Sequence, residues 1–144
     1  MHKVQRSVLV PHSCAQMFDL VADVASYPEF MPWCGGAVVH KHDEHGMEAS
    51  ITISIAGIKQ TFTTRNEHHY PDLIRFHLVD GPFSELTGNW EFQELAVDAC
   101  KVVYTMEYAF SSRALEAVVG PIFNRIATSF IDSFTQRAQA RYGD

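Results

Sequence analysis

The chain reads as a single α+β domain, a curved antiparallel sheet of about seven strands wrapped around one long C-terminal helix. Three observations predict it. Apolar and polar residues alternate through most of residues 47–110, the period becomes helical after Ser111-Ser112, and short turn signals separate the alternating runs. With 144 residues and no linker, repeat or low-complexity segment, residues 1–144 are expected to form one domain. A chain of this size buries roughly 70% of its unfolded surface and needs no disulfide or metal staple.

Residues 3–10 make a first strand, ended by Pro11. Ser13 and Gln16 stand at capping-box spacing, so Ala15, Phe18, Leu20 and Val21 follow as a short helix. Asp23 is placed to cap a second helical turn before Tyr27-Pro28, inside an irregular, apolar loop from Asp23 to Gly36. Asp43 to Gly46 then turns the chain. Met47, Ala49, Ile51, Ile53 and Ile55 share one strand face, and Ala56-Gly57 breaks the run.

Residues 58–69 form a less regular strand containing Phe62. After the Pro71-Asp72 turn, Ile74, Phe76 and Leu78 alternate with Arg75 and His77; Gly81-Pro82 breaks the chain again. Leu86, Gly88, Trp90 and Phe92 alternate next. Cys100, Val102, Tyr104, Met106, Tyr108 and Phe110 share the apolar face of the last strand. Short connections make the strands an antiparallel meander with one covered face.

The closing helix carries Leu115, Val119, Ile122, Phe123, Ile126, Phe130 and Phe134 as an apolar stripe opposite Glu116, Asn124, Thr128, Asp132 and Gln136. Gly120-Pro121 interrupts it. A proline inside a helix removes a hydrogen bond at a cost of about 3 kcal/mol. Either a kink, or a short helix followed by a long one with Pro121 near its first position, is expected.

Composition excludes several classes. An apolar fraction of 47%, a charged fraction of 19% and a mean hydropathy of -0.08 belong to a globular chain. Eleven Lys+Arg against 17 Asp+Glu give a net charge of -6, a deficit where a phosphate-binding protein carries a basic surplus. No DNA partner is expected. Cys14, Cys34 and Cys100 are isolated thiols, and no secretory segment is evident, which suits a reducing, cytoplasmic setting. No stretch approaches the length of a membrane-spanning helix, so any membrane contact is expected to be peripheral.

Catalytic signatures for nucleotide, zinc-protease or serine-hydrolase chemistry are missing, so no catalytic residue is assigned. The segment His40-Lys41-His42-Asp43-Glu44-His45 has metal-ligand character. On a strand His40 and His42 project to the same side, with His45 in the adjoining turn. Acids and a lysine in a tight turn are ordinary turn chemistry, so this is read as a polar hairpin tip and no metal site is assigned. His68-His69 is a poorer pair, because adjacent strand residues point to opposite faces.

Ten Phe, five Tyr and two Trp are an aromatic surplus, much of it at inward positions. Taken singly, each ring is a large core residue. Taken together, they suit a curved sheet that leaves a concave volume, lined rather than filled by rings, for a ligand with a polar head and an apolar body. A second apolar set lies in loops: Tyr27, Phe30, Met31, Trp33 and Phe83. These either gate a cavity mouth or plug one end of the sheet.

The block Asp23-Val24-Ala25-Ser26-Tyr27-Pro28-Glu29-Phe30-Met31-Pro32-Trp33-Cys34, with Gly81-Pro82-Phe83 and Leu86-Thr87-Gly88-Asn89-Trp90-Glu91-Phe92, closely resembles the coenzyme Q-binding START-like family. The likeness covers essentially the whole chain. It implies a helix-grip fold of the START/Bet v 1-like kind and a hydrophobic tunnel able to take an isoprenoid quinone such as ubiquinone. That family includes coenzyme Q-binding proteins that support respiration and RatA-type proteins described as ribosome association toxins; its wider superfamily holds polyketide cyclases.

On that resemblance, the expected role is non-enzymatic binding and delivery of a hydrophobic small molecule, in the cytoplasm or peripherally at the inner membrane. Phe62, Phe76, Trp90, Tyr104, Met106, Tyr108, Phe123, Ile126 and Phe130 are expected to line the tunnel. Tyr27, Phe30, Met31, Trp33 and Phe83 are expected at its mouth, and Gly120-Pro121 lets the helix start shift as a lid. Ubiquinone or a related isoprenoid lipid would be the bound ligand, and no other cofactor is expected. The alternatives are a protein that binds the large ribosomal subunit, and a cyclase-like enzyme using Tyr104, Tyr108 or His77 as acid or base.

Overall fold

A computed structural model describes residues 1–143. Seven strands and two α-helices run in the order β1 (His2–Val10), α1 (Cys14–Ala22), a 3-10 turn (Val24–Glu29), β2 (Cys34–Asp43), β3 (Gly46–Ile55), β4 (Ile58–His69), β5 (Leu73–Asp80), β6 (Phe83–Ala96), β7 (Ala99–Phe110) and α2 (Arg113–Tyr142). All strands form one antiparallel sheet in the order β1-β7-β6-β5-β4-β3-β2. Strands β2 to β7 are a plain meander, and β1 adds to the free edge of β7. This is the antiparallel sheet of about seven strands with a long C-terminal helix that the sequence predicts, and β2 is the strand that periodicity does not mark out.

Local chemistry sets the ends of the elements. Ser13 caps α1 by a full capping box: Gln16 N donates to Ser13 Oγ (3.1 Å), and Ser13 N donates to Gln16 Oε1 (2.9 Å). Ser112 Oγ accepts from Leu115 N at the start of α2. Between β3 and β4 the chain reverses through Ala56 and Gly57, both at positive φ (53° and 79°).

Three expectations need correction. The stretch read as irregular loop up to Gly36 already contains the start of β2 at Cys34. Of the two alternatives at Gly120-Pro121, the short helix followed by a long one is excluded, because α2 runs unbroken from Arg113 to Tyr142 with the proline inside it. Both Pro121 and Ala117, whose carbonyl loses its partner, are exposed, so water can satisfy the freed group. No separate lid segment therefore precedes Pro121. Finally, α2 is long and apolar enough, by length and composition, to cross a membrane, with a mean hydropathy of 1.2 over its most apolar stretch. The same measure is met by the core helix of a globular domain. Here Val119, Phe123, Ile126, Ala127, Ile131, Phe134 and Ala138 of α2 are buried.

Helix α2 lies close to α1, β1 and β7 and stands away from β3, β4 and β5. Arg6 on β1 bridges to α2, donating to the Thr128 carbonyl and to both carboxylate oxygens of Asp132. Cys14 Sγ lies 3.1 Å from Cys100 Sγ and joins α1 to β7. All three thiols are buried and unbridged, and burial pushes that of Cys100 up to about 12.

A nearly filled apolar cavity and the strap that closes it

Because α2 stands off the β3–β5 half of the sheet, side chains alone span that gap. The inward positions there follow the strand period: Ala49 and Ile51 on β3; Phe62, Thr64 and Asn66 on β4; Ile74 and Phe76 on β5. Leu86, Trp90 and Met106 continue the floor, Val21, Val24 and Tyr27 close one end, and Phe123, Phe130 and Phe134 of α2 form the roof. The space among these groups is about 650 Å³ including its opening to solvent, yet only about 60 Å³ admits the centre of a water molecule. That is room for roughly four to six waters.

The rings fill the interior more than the sequence suggests, because they pack closely on one another in edge-on, tilted and stacked pairs. Phe123 meets Phe62, Phe83 and Tyr108 with centroids 6.1, 4.8 and 4.8 Å away. Trp90 stacks on Tyr104 at 4.4 Å and stands edge-on to Phe134 at 5.2 Å. An occupant larger than a few waters must displace rings, and Phe76 and Phe130 are only half-buried.

Six of the nine expected tunnel residues line this space: Phe62, Phe76, Trp90, Met106, Phe123 and Phe130. Tyr104, Tyr108 and Ile126 are buried outside its lining. Tyr104 and Tyr108 stand on β7 with their rings packed against Trp90, Phe130, Phe83 and Phe123, while Met106 between them reaches the cavity. Tyr104 Oη contacts Met106 Sδ (3.5 Å), and Tyr108 Oη donates to Asn124 Oδ1 (3.2 Å). Burial raises both phenol pKa values, so both stay protonated. His77 is exposed on the outer face.

The apolar loop residues act as a strap rather than an open mouth. Tyr27 lines the cavity, and its hydroxyl donates to the Val21 carbonyl; burial raises its pKa. Met31 and Trp33 are 1% and 5% exposed. Tyr27 and Phe30 both meet Phe134 (5.4 and 5.7 Å), and Trp33 meets Phe130 (5.4 Å). Arg137 latches the seam: its guanidinium sits 4.9 Å over the Phe30 ring, and Nη2 donates to Glu29 Oε1 at 3.0 Å. Phe83 is not part of this seam and packs with Phe62, Phe110 and Phe123.

Sequence reasoning missed the polar pair in the cavity wall. Thr64 Oγ1 donates to Asn66 Oδ1 (2.9 Å), and Thr64 is buried. The signal was there in the inward phase of Phe62, two and four residues earlier. The expected shared side for His40 and His42 is also wrong. A bulge between Val39 and Lys41 shifts the phase, so His40 turns to Ser50 (2.7 Å) while His42 comes within 6.1 Å of His68. Side chains of Glu44 and His45 project into solvent.

The geometry agrees with what the chain resembles. The family model described as polyketide cyclase/dehydrase and lipid transport matches residues 10–135. A Vibrio cholerae protein named ribosome association toxin RatA is 46% identical over 144 residues, covering all of both chains. The mitochondrial coenzyme Q-binding protein COQ10 of Drosophila melanogaster is 24% identical over 139 residues, covering 94% of this chain and 57% of that protein. Among solved structures, the Zhui aromatase/cyclase from a Streptomyces superposes with a TM-score of 0.80 at 18% identity, covering 98% of this chain and 95% of that one. A START superfamily protein from Mycobacterium smegmatis gives 0.77 at 17% identity, covering 97% and 99%.

Proposed function

The chain belongs to the polyketide cyclase/dehydrase and lipid transport family, and we propose that within it this protein binds and delivers a hydrophobic small molecule, an isoprenoid quinone above all, without catalysing a reaction on it. The observation that carries this reading is the cavity itself. Its walls are predominantly apolar, with Thr64, Asn66 and the engaged Tyr27 hydroxyl among the polar groups. The three groups considered for acid–base chemistry, Tyr104, Tyr108 and His77, do not line it.

Physics favours a carrier over a catalyst here. Moving an isoprenoid tail from a bilayer into a dry protein cavity is nearly neutral. Leaving it in water costs about 0.8 kcal/mol per CH2-sized carbon. A carrier therefore needs a wall that parts at a membrane, and the strap seam is a wall held by side chains. Delivery at the cytoplasmic face of the inner membrane, in support of respiration, follows from that reading. The test is lipid extraction from natively purified protein with mass spectrometry, followed by quinone titration. An absence of lipid and of titratable binding overturns it.

A second reading, ribosome association, is favoured by the name of the relative that is 46% identical. The net charge of -6 weighs against extensive contact with RNA phosphates. Co-sedimentation with separated ribosomal subunits across a salt series decides it: no co-migration at low salt excludes the reading.

A further inference from the structure

The cavity has a polar neighbour. On β3 the inward positions Ile51 and Ala49 line the cavity, and the next one, Met47, lines a second depression; on β4 Asn66 lines the cavity and His68 the depression. Val24 borders both. Two residues of strand advance about 7 Å, so the two spaces lie end to end along one concave face. The depression is an open groove of about 420 Å³ between α1 and β2.

Its chemistry differs from the cavity's. Asp19, Asp23, His42 and His68 line it among apolar groups, and no Lys or Arg does. His68 Nε2 is buried without a hydrogen-bond partner among the described residues. Its ring is held edge-on to Phe18 at 5.5 Å. A buried ring nitrogen is ordinarily hydrogen-bonded, so a fixed one without a partner suits an incoming polar atom. We propose that this groove is a head site for an amphiphile whose apolar part occupies the cavity, and that it takes a neutral carbonyl or hydroxyl oxygen on His68 Nε2 and disfavours a phosphate. The inference rests on the cavity's reading as a site for hydrophobic molecules.

Two features set that preference. Burial, reinforced by His42 and Arg65, lowers the His68 pKa and keeps the ring neutral, able to donate to a carbonyl or accept from a hydroxyl. Asp19 and Asp23 add negative charge at the rim, offset in part by Arg141 beside Asp19, and this disfavours an anionic head.

The test uses the full chain with a decyl-tailed benzoquinone, dodecanol, dodecyl phosphate and dodecane, read by tryptophan fluorescence. His68→Leu is expected to weaken the quinone about tenfold, the size of one buried hydrogen bond, and to leave dodecane unchanged; His68→Gln restores part of the loss. Dodecanol should bind more tightly than dodecyl phosphate at low salt. Equal quinone affinity in wild type and His68→Leu, or tighter phosphate binding, overturns the proposal. If His68→Leu does not fold, the wild-type imidazole resonances decide, since dodecanol must shift those of His68 and dodecane must not. Binding of dodecane without any head preference sinks the head site alone. No binding of any probe sinks the cavity reading, and the head site with it.

Discussion

The ring of Phe76 lies over Gly88 of the neighbouring strand. A methyl group at position 88 would stand 2.5 Å from Phe76 Cζ and 2.3 Å from the Thr105 carbonyl oxygen. Phe76 lines the cavity, so this glycine sets how far one wall sinks into the sheet. Gly88→Ala should cost about 1–3 kcal/mol, the usual range for overpacking. Because Phe76 is pushed inward, apolar ligands should bind more weakly as well. Urea denaturation and a dodecane titration check the two effects; unchanged stability would show that the sheet yields there.

Phe123 is 1% exposed and central to the ring cluster over the cavity. Phe123→Ala should cost about 3–5 kcal/mol. It should also enlarge the cavity, so that saturating apolar ligand recovers more stability in the variant than in wild type. Melting curves with and without dodecane measure this.

The Glu29–Arg137 contact is partly exposed, with side-chain exposures of 62% and 24%. Glu29→Gln should therefore change stability by less than about 1 kcal/mol. Ligand exchange should nonetheless accelerate several-fold if the strap is the part that opens. Stopped-flow displacement of a bound quinone reads it, and an unchanged off-rate would assign the opening elsewhere.

His68 gives a pH dependence of defined sign. Burial is the main cause of its lowered pKa, with His42, Arg65 and His69 acting in the same direction and Asp43 opposing. The unfolded chain therefore binds the proton first as pH falls below about 6.5. The stability contributed by neutral His68 is present above that pH and lost as pH falls through the folded value. His68→Gln should flatten the slope of urea midpoint against pH between about 6.5 and 5. An equally steep slope in the variant would assign the effect to other groups.

Ala56 holds φ 53° beside Gly57 in the β3–β4 reversal. A left-handed conformation suits Asn better than Ala in such a turn. Ala56→Asn should stabilise by about 1 kcal/mol and raise Tm by about 2–4 °C in calorimetry.

Much of the fold was legible because its signals are local. Alternation through Cys100, Val102, Tyr104, Met106 and Tyr108 requires only that one strand face be dry, and the structure buries all five. The Ser13–Gln16 capping box is likewise contained in four residues. The misreadings came where local pattern meets distant structure. A bulge at β2 put His40 and His42 on different faces, and exposure of Ala117 and Pro121 on the outer side of α2 leaves the freed carbonyl open to solvent, so the helix need not divide there.

Sequence alone determined which face of most strands and of α2 is dry, since hydrophobic period and turn chemistry are properties of neighbouring residues. Tertiary structure decided which residues on those faces border empty space. That depends on where α2 crosses the sheet: close to β1 and β7 it covers Tyr104 and Tyr108, and lifted from β3–β5 it leaves Ile51, Phe62 and Phe76 facing a gap. No local pattern encodes the height of a helix above a strand, because that height is set by packing among side chains far apart in the chain, Phe62 and Phe83 against Phe123 among them.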